Sequence, residues 1–140
     1  MNIILDASIA LKWYLQEVLS GQALRLKEKI EEGTFLVGVP RIFFVETANV
    51  LWKKSVLTHE LSRGDAKGIY SRILDVSFHV VEDDDILLKA LNISLEHSIS
   101  VYDGMYMASA VHLNSVLITA DAALVRRFSK STLRKRISFL

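Results

Sequence analysis

A chain of 140 residues and 15.8 kDa is long enough for one domain spanning 1–140, and at this size about two-thirds of the unfolded surface is buried on folding. A formal net charge of +1 excludes a strongly basic protein, and the lack of Cys excludes both a disulfide framework and a thiolate metal site. Hydrophobic residues make up 51% of the chain, yet no apolar run approaches the ~18 residues of a membrane span, so the surplus apolar surface is expected to meet a partner chain.

The opening Met1-Asn2-Ile3-Ile4-Leu5-Asp6 lacks the basic region and long apolar stretch of a signal peptide, and a cytoplasmic protein without membrane association is the expectation. Asn2 to Leu5 reads as a strand buried on both faces, and Ala7 to Tyr14 as a helix entered at Asp6. Gln22 to Glu32 is amphipathic and ends at Gly33, a good helix terminator. A strand over Thr34 to Val39 follows. Pro40 is expected to open a helix reaching about Lys54, with a further helix over Ser62 to Leu74. Phe78 to Val81 suits a brief strand, Asp83 to His97 a helix, and Ile99-Ser100-Val101 leads into a helix over Tyr102 to His112. Ser115 to Thr119 is the clearest later strand, Asp121 opens a short helix, and Ile137 to Leu140 could add a last strand. Short strands alternating with helices predict an α/β sandwich with a mostly parallel central sheet flanked by helices, whose sites lie beyond the carboxyl ends of the strands.

That rule singles out Asp6 and Asp121, each following a strand. Taken singly, either reads more readily as a helix N-cap. Glu46 is harder to assign to structure alone: Phe43 at i−3 and Val50 at i+4 put it in an apolar stripe, and an ionised carboxylate facing inward needs a cation, a donor or a metal. Asn49 at i+3 shares its face and could orient it. Asp103 continues onto Met107 and Ala110 in another apolar helix, although a first-turn acid also suits the helix dipole. One shared site accounts for all four acids. Clustered carboxylates repel one another, which a hard divalent cation relieves, so Mg²⁺ or Mn²⁺ is expected; His59, His79, His97 and His112 form no zinc-type pair.

Together these segments resemble the PIN-domain family, and within it the toxins of VapBC-type toxin-antitoxin modules. Ile4-Leu5-Asp6-Ala7-Ser8 is similar to its first motif. Pro40 through Glu46 to Leu51 is similar to its second, with Asn49 as polar neighbour. Val101 to Ala108 around Asp103 resembles the third, and Leu117-Ile118-Thr119-Ala120-Asp121 the fourth. The resemblance implies a three-layer PIN-like sandwich, a homodimer, metal-dependent endonucleolytic hydrolysis of RNA phosphodiesters, and inhibition by a cognate antitoxin. It assigns Asp6, Glu46, Asp103 and Asp121 to the metal and to catalysis. Thr119 joins the catalytic set, and Ser8 and Asn49 support it. An Arg inserted by the antitoxin would compete with metal for the carboxylates. Gly104 stands where the family often has Ala, which predicts a looser helix start. Ala122-Ala123-Leu124 lacks the extra acid of some members, leaving one or two metal positions open.

Two rivals differ in class. A regulatory receiver domain needs an acidic pair after the first strand, whereas Asp6 stands alone and Asp83-Asp84-Asp85 suits a helix N-terminus. A catalytically weak PIN-fold module that binds RNA or protein would keep the fold without turnover. The cations Arg126, Arg127, Lys130, Arg134, Lys135 and Arg136 read either as a phosphate-contacting patch or as a solvated helix end. Trp13, Tyr14, Phe43, Phe44 and Trp52 are more consistent with core or dimer contacts than with base stacking.

Overall fold

The computed structural model describes residues 2–82 and 84–140. Five parallel strands form one sheet in the order β3-β2-β1-β4-β5: β1 (Asn2–Leu5), β2 (Leu36–Pro40), β3 (His79–Val81), β4 (Val116–Thr119) and β5 (Ile137–Phe139). Strand β1 lies at the centre, and Ile3, Ile4 and Leu5 are all buried, which explains its unbroken apolar run.

The chain moves outward from β1 through β2 to β3, then returns to β4 on the opposite side and continues to β5. With right-handed crossovers, the helices before β3 must cover one face and those after it the other. Contacts agree: α1 (Ala7–Leu11) packs on α2 (Ser20–Glu31) and on α3 (Ile42–Trp52), α3 packs on α4 (Arg63–Leu74), while α5 (Asp84–His97) packs on α6 (Val101–His112) and α6 on the sheet. The short α7 (Ala122–Arg127) packs on β5. The result is a three-layer sandwich. Its direction of winding reverses between β1 and β4, where an open α/β sheet leaves a crevice beyond the strand ends.

Local boundaries shift for identifiable reasons. Pro40 ends β2 and aligns with Val81 of β3 instead of opening a helix; α3 begins at Ile42. The helix after Asp6 stops at Leu11 and gives way to turns, with Trp13 Nε1 donating to Ala23 O at 3.0 Å and so tying those turns to α2. Helix α3 runs on as a π-helical turn over Lys53–Leu57. Asp83, the expected first residue of the next helix, lies outside the described residues, and Asp84 and Asp85 occupy the first turn of α5. A 3-10 turn over Thr132–Arg136, not expected from the sequence, leads into β5.

Gly104 lies at the contact between α6 and α5. It is buried, and an added Cβ would lie 2.6 Å from the Ala90 carbonyl oxygen, so its small size lets α6 sit close against α5. On the other face Phe43 is buried and packs edge-on against Phe44 and Phe78, anchoring α3 one turn before Glu46.

Candidate active site

Asp6 stands at the end of β1, and its backbone N–H donates to Ile118 O of β4 at 3.1 Å, fixing it at the winding reversal. Its carboxylate accepts from Thr119 Oγ1 at 2.6 Å and from Ser8 Oγ at 3.0 Å, both through Oδ2, while Ser8 N donates to Oδ1 at 3.3 Å. Thr119, the buried last residue of β4, also accepts from Asp121 N at 3.1 Å. One hydroxyl therefore links the two strand-end acids.

Asp121 caps α7, with Oδ1 accepting from Ala123 N at 2.8 Å and Leu124 N at 3.0 Å. Asp6 is likewise the N-cap of α1. The capping roles read for these two acids are real, and they restrain the carboxylates at the edge of the sheet.

Glu46 and Asp103 arrive from helices on opposite faces. Asp103, in the first turn of α6, exchanges hydrogen bonds with Ser100, donating N–H to Ser100 Oγ at 3.1 Å and accepting from it at 2.9 Å. Glu46 Oε2 accepts from the Tyr106 hydroxyl at 2.5 Å, which ties α3 to α6 over the end of the sheet. Tyr106 is buried, and its hydroxyl is held well above the ordinary tyrosine range by burial first and then by Glu46 and Asp6, so it stays a donor.

Repulsion links the acids in pairs, Glu46 with Asp6 and Asp103, and Asp103 with Asp6 and Asp121. The Glu46 carboxyl is pushed up chiefly by burial, offset by the Tyr106 hydrogen bond and augmented by the negative charges of Asp6 and Asp103. The Asp103 carboxyl is also pushed up by burial, against its Ser100 bond, with Asp6 and Asp121 adding repulsion. Among the described residues none of the four pairs with a Lys or Arg. Nor do three acidic or His side chains converge into a ready-made cation site. Each carboxylate instead faces a nearby protein donor, so gathering them around one ion requires side-chain rotation. The donor set is hard oxygen throughout, repulsive and without a cation, which fits Mg²⁺ or Mn²⁺.

Asn49 departs from its expected part. It is exposed and shares a cavity with Glu46, but the hydrogen bond that orients Glu46 comes from Tyr106. Tyr106 and Ser100 are the site residues that sequence reasoning missed. Tyr106 stands at i+3 from Asp103, a hydroxyl within an otherwise apolar helix face, which is the signal that could have marked it. Ser8 and Thr119 both contact Asp6. Trp13 and Phe43 are core residues, whereas Trp52 is half exposed beside Ala66 and Tyr70 of α4. Of the basic C-terminal residues, Arg134 bonds to Ile137 O, and Arg136 to Asn114 and Ser115 O.

The family model for the PIN domain matches residues 3–129. The chain belongs to the PIN domain family. It is 27% identical over 131 residues to Ribonuclease VapC3 of Pyrobaculum aerophilum, covering 91% of this chain and 95% of that protein. Its fold is similar to that of PAE2754 from Pyrobaculum aerophilum, with a TM-score of 0.70, 23% identity, and coverage of 91% of this chain and 79% of the other. It is also similar to a chain of a toxin-antitoxin complex from Klebsiella pneumoniae, at a TM-score of 0.65, 16% identity, and coverage of 97% and 95%. Among the described residues no helix is long and apolar enough to cross a membrane.

Proposed function

We propose that this chain is a metal-dependent endoribonuclease, the toxin of a type II toxin-antitoxin pair, acting in the cytoplasm. The observation that carries this reading is the mutual repulsion that links Asp6, Glu46, Asp103 and Asp121, brought together from four separate segments, with none of them paired to a Lys or Arg among the described residues. Similarity along nearly the whole chain to a protein named as a ribonuclease supports RNA as substrate.

Asp6, Asp103 and Asp121 would hold Mg²⁺ or Mn²⁺, with Glu46 holding a ligand water or a second ion. When bound, such a cation neutralises charge on the phosphodiester and makes a water more acidic. The chain's own groups supply the positioning. Thr119 and Ser8 spend their hydroxyl protons on Asp6, which sets its rotamer and leaves neither activated as a nucleophile. Tyr106 occupies Glu46 Oε2, so Oε1 is the oxygen free to orient water or accept its proton. Neither cavity beside Glu46 is lined by a His that could serve as base.

A homodimer is supported by Leu87, Leu88, Leu91 and Leu95, which leave an exposed apolar stripe on α5. A small antitoxin as partner is supported by the fold shared with a toxin-antitoxin complex. An Arg from such a partner, paired with these carboxylates, would block the cation.

The test is incubation of the purified protein with an end-labelled RNA pool in Mg²⁺, Mn²⁺ or EDTA, beside Asp6→Ala. Cleavage that needs the cation and disappears in the variant is expected. Cleavage indifferent to both would point to a contaminant, and RNA binding without cleavage to the weak binding module.

A further inference from the structure

Glu46 is the wall shared by two cavities. One, of about 300 Å³, includes Asp6, Ser8, Glu17 and Val50; the other, of about 370 Å³, is formed by Ile42, Val45, Glu46, Asn49 and Tyr102. Glu46 thus borders both the cavity that includes Asp6 and a second one beside it. The two cavities have different chemistry.

The second has the makings of a base site. Tyr102 is 59% exposed and directly precedes Asp103, so an aromatic ring stands beside a site acid. Ile42 and Val45 add apolar surface from α3. Asn49 makes no side-chain hydrogen bond among the described residues, leaving an amide that offers a donor and an acceptor side by side. Aromatic stacking with amide contacts to a base edge is how single-stranded RNA is read by sequence. The cavity is at the small end of ligand sites, which run to roughly 300–1,000 Å³, and suits one nucleoside.

We propose that Tyr102 and Asn49 form a nucleobase subsite next to the scissile phosphodiester, Tyr102 stacking on the face of the base and Asn49 reading its edge. This rests on the ribonuclease reading, whose failure can be told apart. Asn49 and Tyr102 are then specificity-determining residues, and the role expected for Asn49 toward Glu46 is replaced by one toward substrate.

The test compares wild type with Asn49→Ala, Tyr102→Ala and Tyr102→Phe in two assays. Binding of labelled single-stranded RNA hexamers differing at one position is measured in Ca²⁺, and cut sites in a random RNA library are sequenced in Mg²⁺. Tyr102→Ala is expected to weaken binding by about 5- to 100-fold, with Tyr102→Phe close to wild type, as base–aromatic stacking predicts. Asn49→Ala should flatten the preference for one base beside the cut. Unchanged affinity and an unchanged cut-site pattern in all three variants would overturn the proposal. So would a Tyr102→Ala protein whose light-scattering mass falls while its base preference stays, since a second copy of the chain would then cover the cavity. If wild type binds RNA selectively in Ca²⁺ but never cuts it, the nuclease reading fails while the subsite stands.

Discussion

The hydroxyl of Tyr106 donates to Oε2 of Glu46 at 2.5 Å, joining residues 60 positions apart and two helices on opposite faces of the sheet. It holds in place an acid whose carboxyl is already pushed up by burial and by Asp6 and Asp103. Hydrogen bonding to the charged form favours ionisation, so this contact opposes the other influences.

Removing that donor by Tyr106→Phe should raise the Glu46 carboxyl further. The acidic limb of the kcat/KM profile is expected to move to higher pH, with activity at neutral pH falling roughly 10- to 100-fold, the usual cost of losing a partner of a metal-site residue. Pre-steady-state cleavage across a pH series, with a Mg²⁺ titration at each point, provides the comparison. An unmoved limb would show that Glu46 does not govern it.

Glu46 and Asp103 are acids with raised folded-state values, so their contribution to stability is present below the unfolded value and lost as pH rises through the folded one. Their ionised forms therefore burden the metal-free protein at neutral pH. Glu46→Gln should stabilise that protein by on the order of 1 kcal/mol, about 3–6 °C in Tm, at neutral pH. The gain should vanish below the ordinary glutamate value of 4.5. Thermal scans of both proteins in EDTA from acid to neutral pH would show it.

Divalent cation should act in the same direction on the wild-type chain. A ligand present at about 100 times its Kd stabilises the folded state by roughly 2.7 kcal/mol, and EDTA should reverse this rise in Tm. Asp6→Asn should lose most of the response while keeping its fold, as followed by circular dichroism.

Thr119 is buried and serves both strand-end acids, donating to Asp6 and accepting from Asp121 N. Thr119→Val keeps the shape, leaves the Asp121 N–H without its acceptor and leaves Asp6 with Ser8 as its remaining donor, so a stability loss of about 1–3 kcal/mol is expected together with a marked fall in cleavage. Thr119→Ser retains the hydroxyl and should restore cleavage more fully than stability. Urea denaturation and turnover measured on the same preparations separate the two effects.

Gly104→Ala places a methyl group against the Ala90 carbonyl and the Ser94 side chain. Overpacking of this kind costs about 1–3 kcal/mol, and it should push α6 away from α5, shifting Asp103. A lowered urea midpoint is the expected result. An unchanged midpoint would mean that the helices part without penalty.

Much of the site was legible because its acids occur in recognisable local settings. Asp6 and Asp121 follow apolar strands, and Glu46 and Asp103 interrupt apolar helix faces. Asn49 does not orient Glu46, because helical spacing shows that two residues share a face without showing which of them meets a third element. Pro40 suits a helix start, where its missing N–H costs nothing, and equally the end of a strand, where it stands as the last residue of β2.

By itself the sequence determined the order and kinds of elements, the four acids and their family pattern, since strand and helix periodicity and motif spacing are properties of short stretches of chain. Only the tertiary structure decided the strand order, the reversal of winding between β1 and β4, the bond from Thr119 to Asp6 across 113 positions, and the choice of Tyr106 over Asn49 as partner of Glu46. Those relationships join distant segments, and they are set by which faces pack against the sheet and how closely, a balance over the whole core that no single stretch of chain contains.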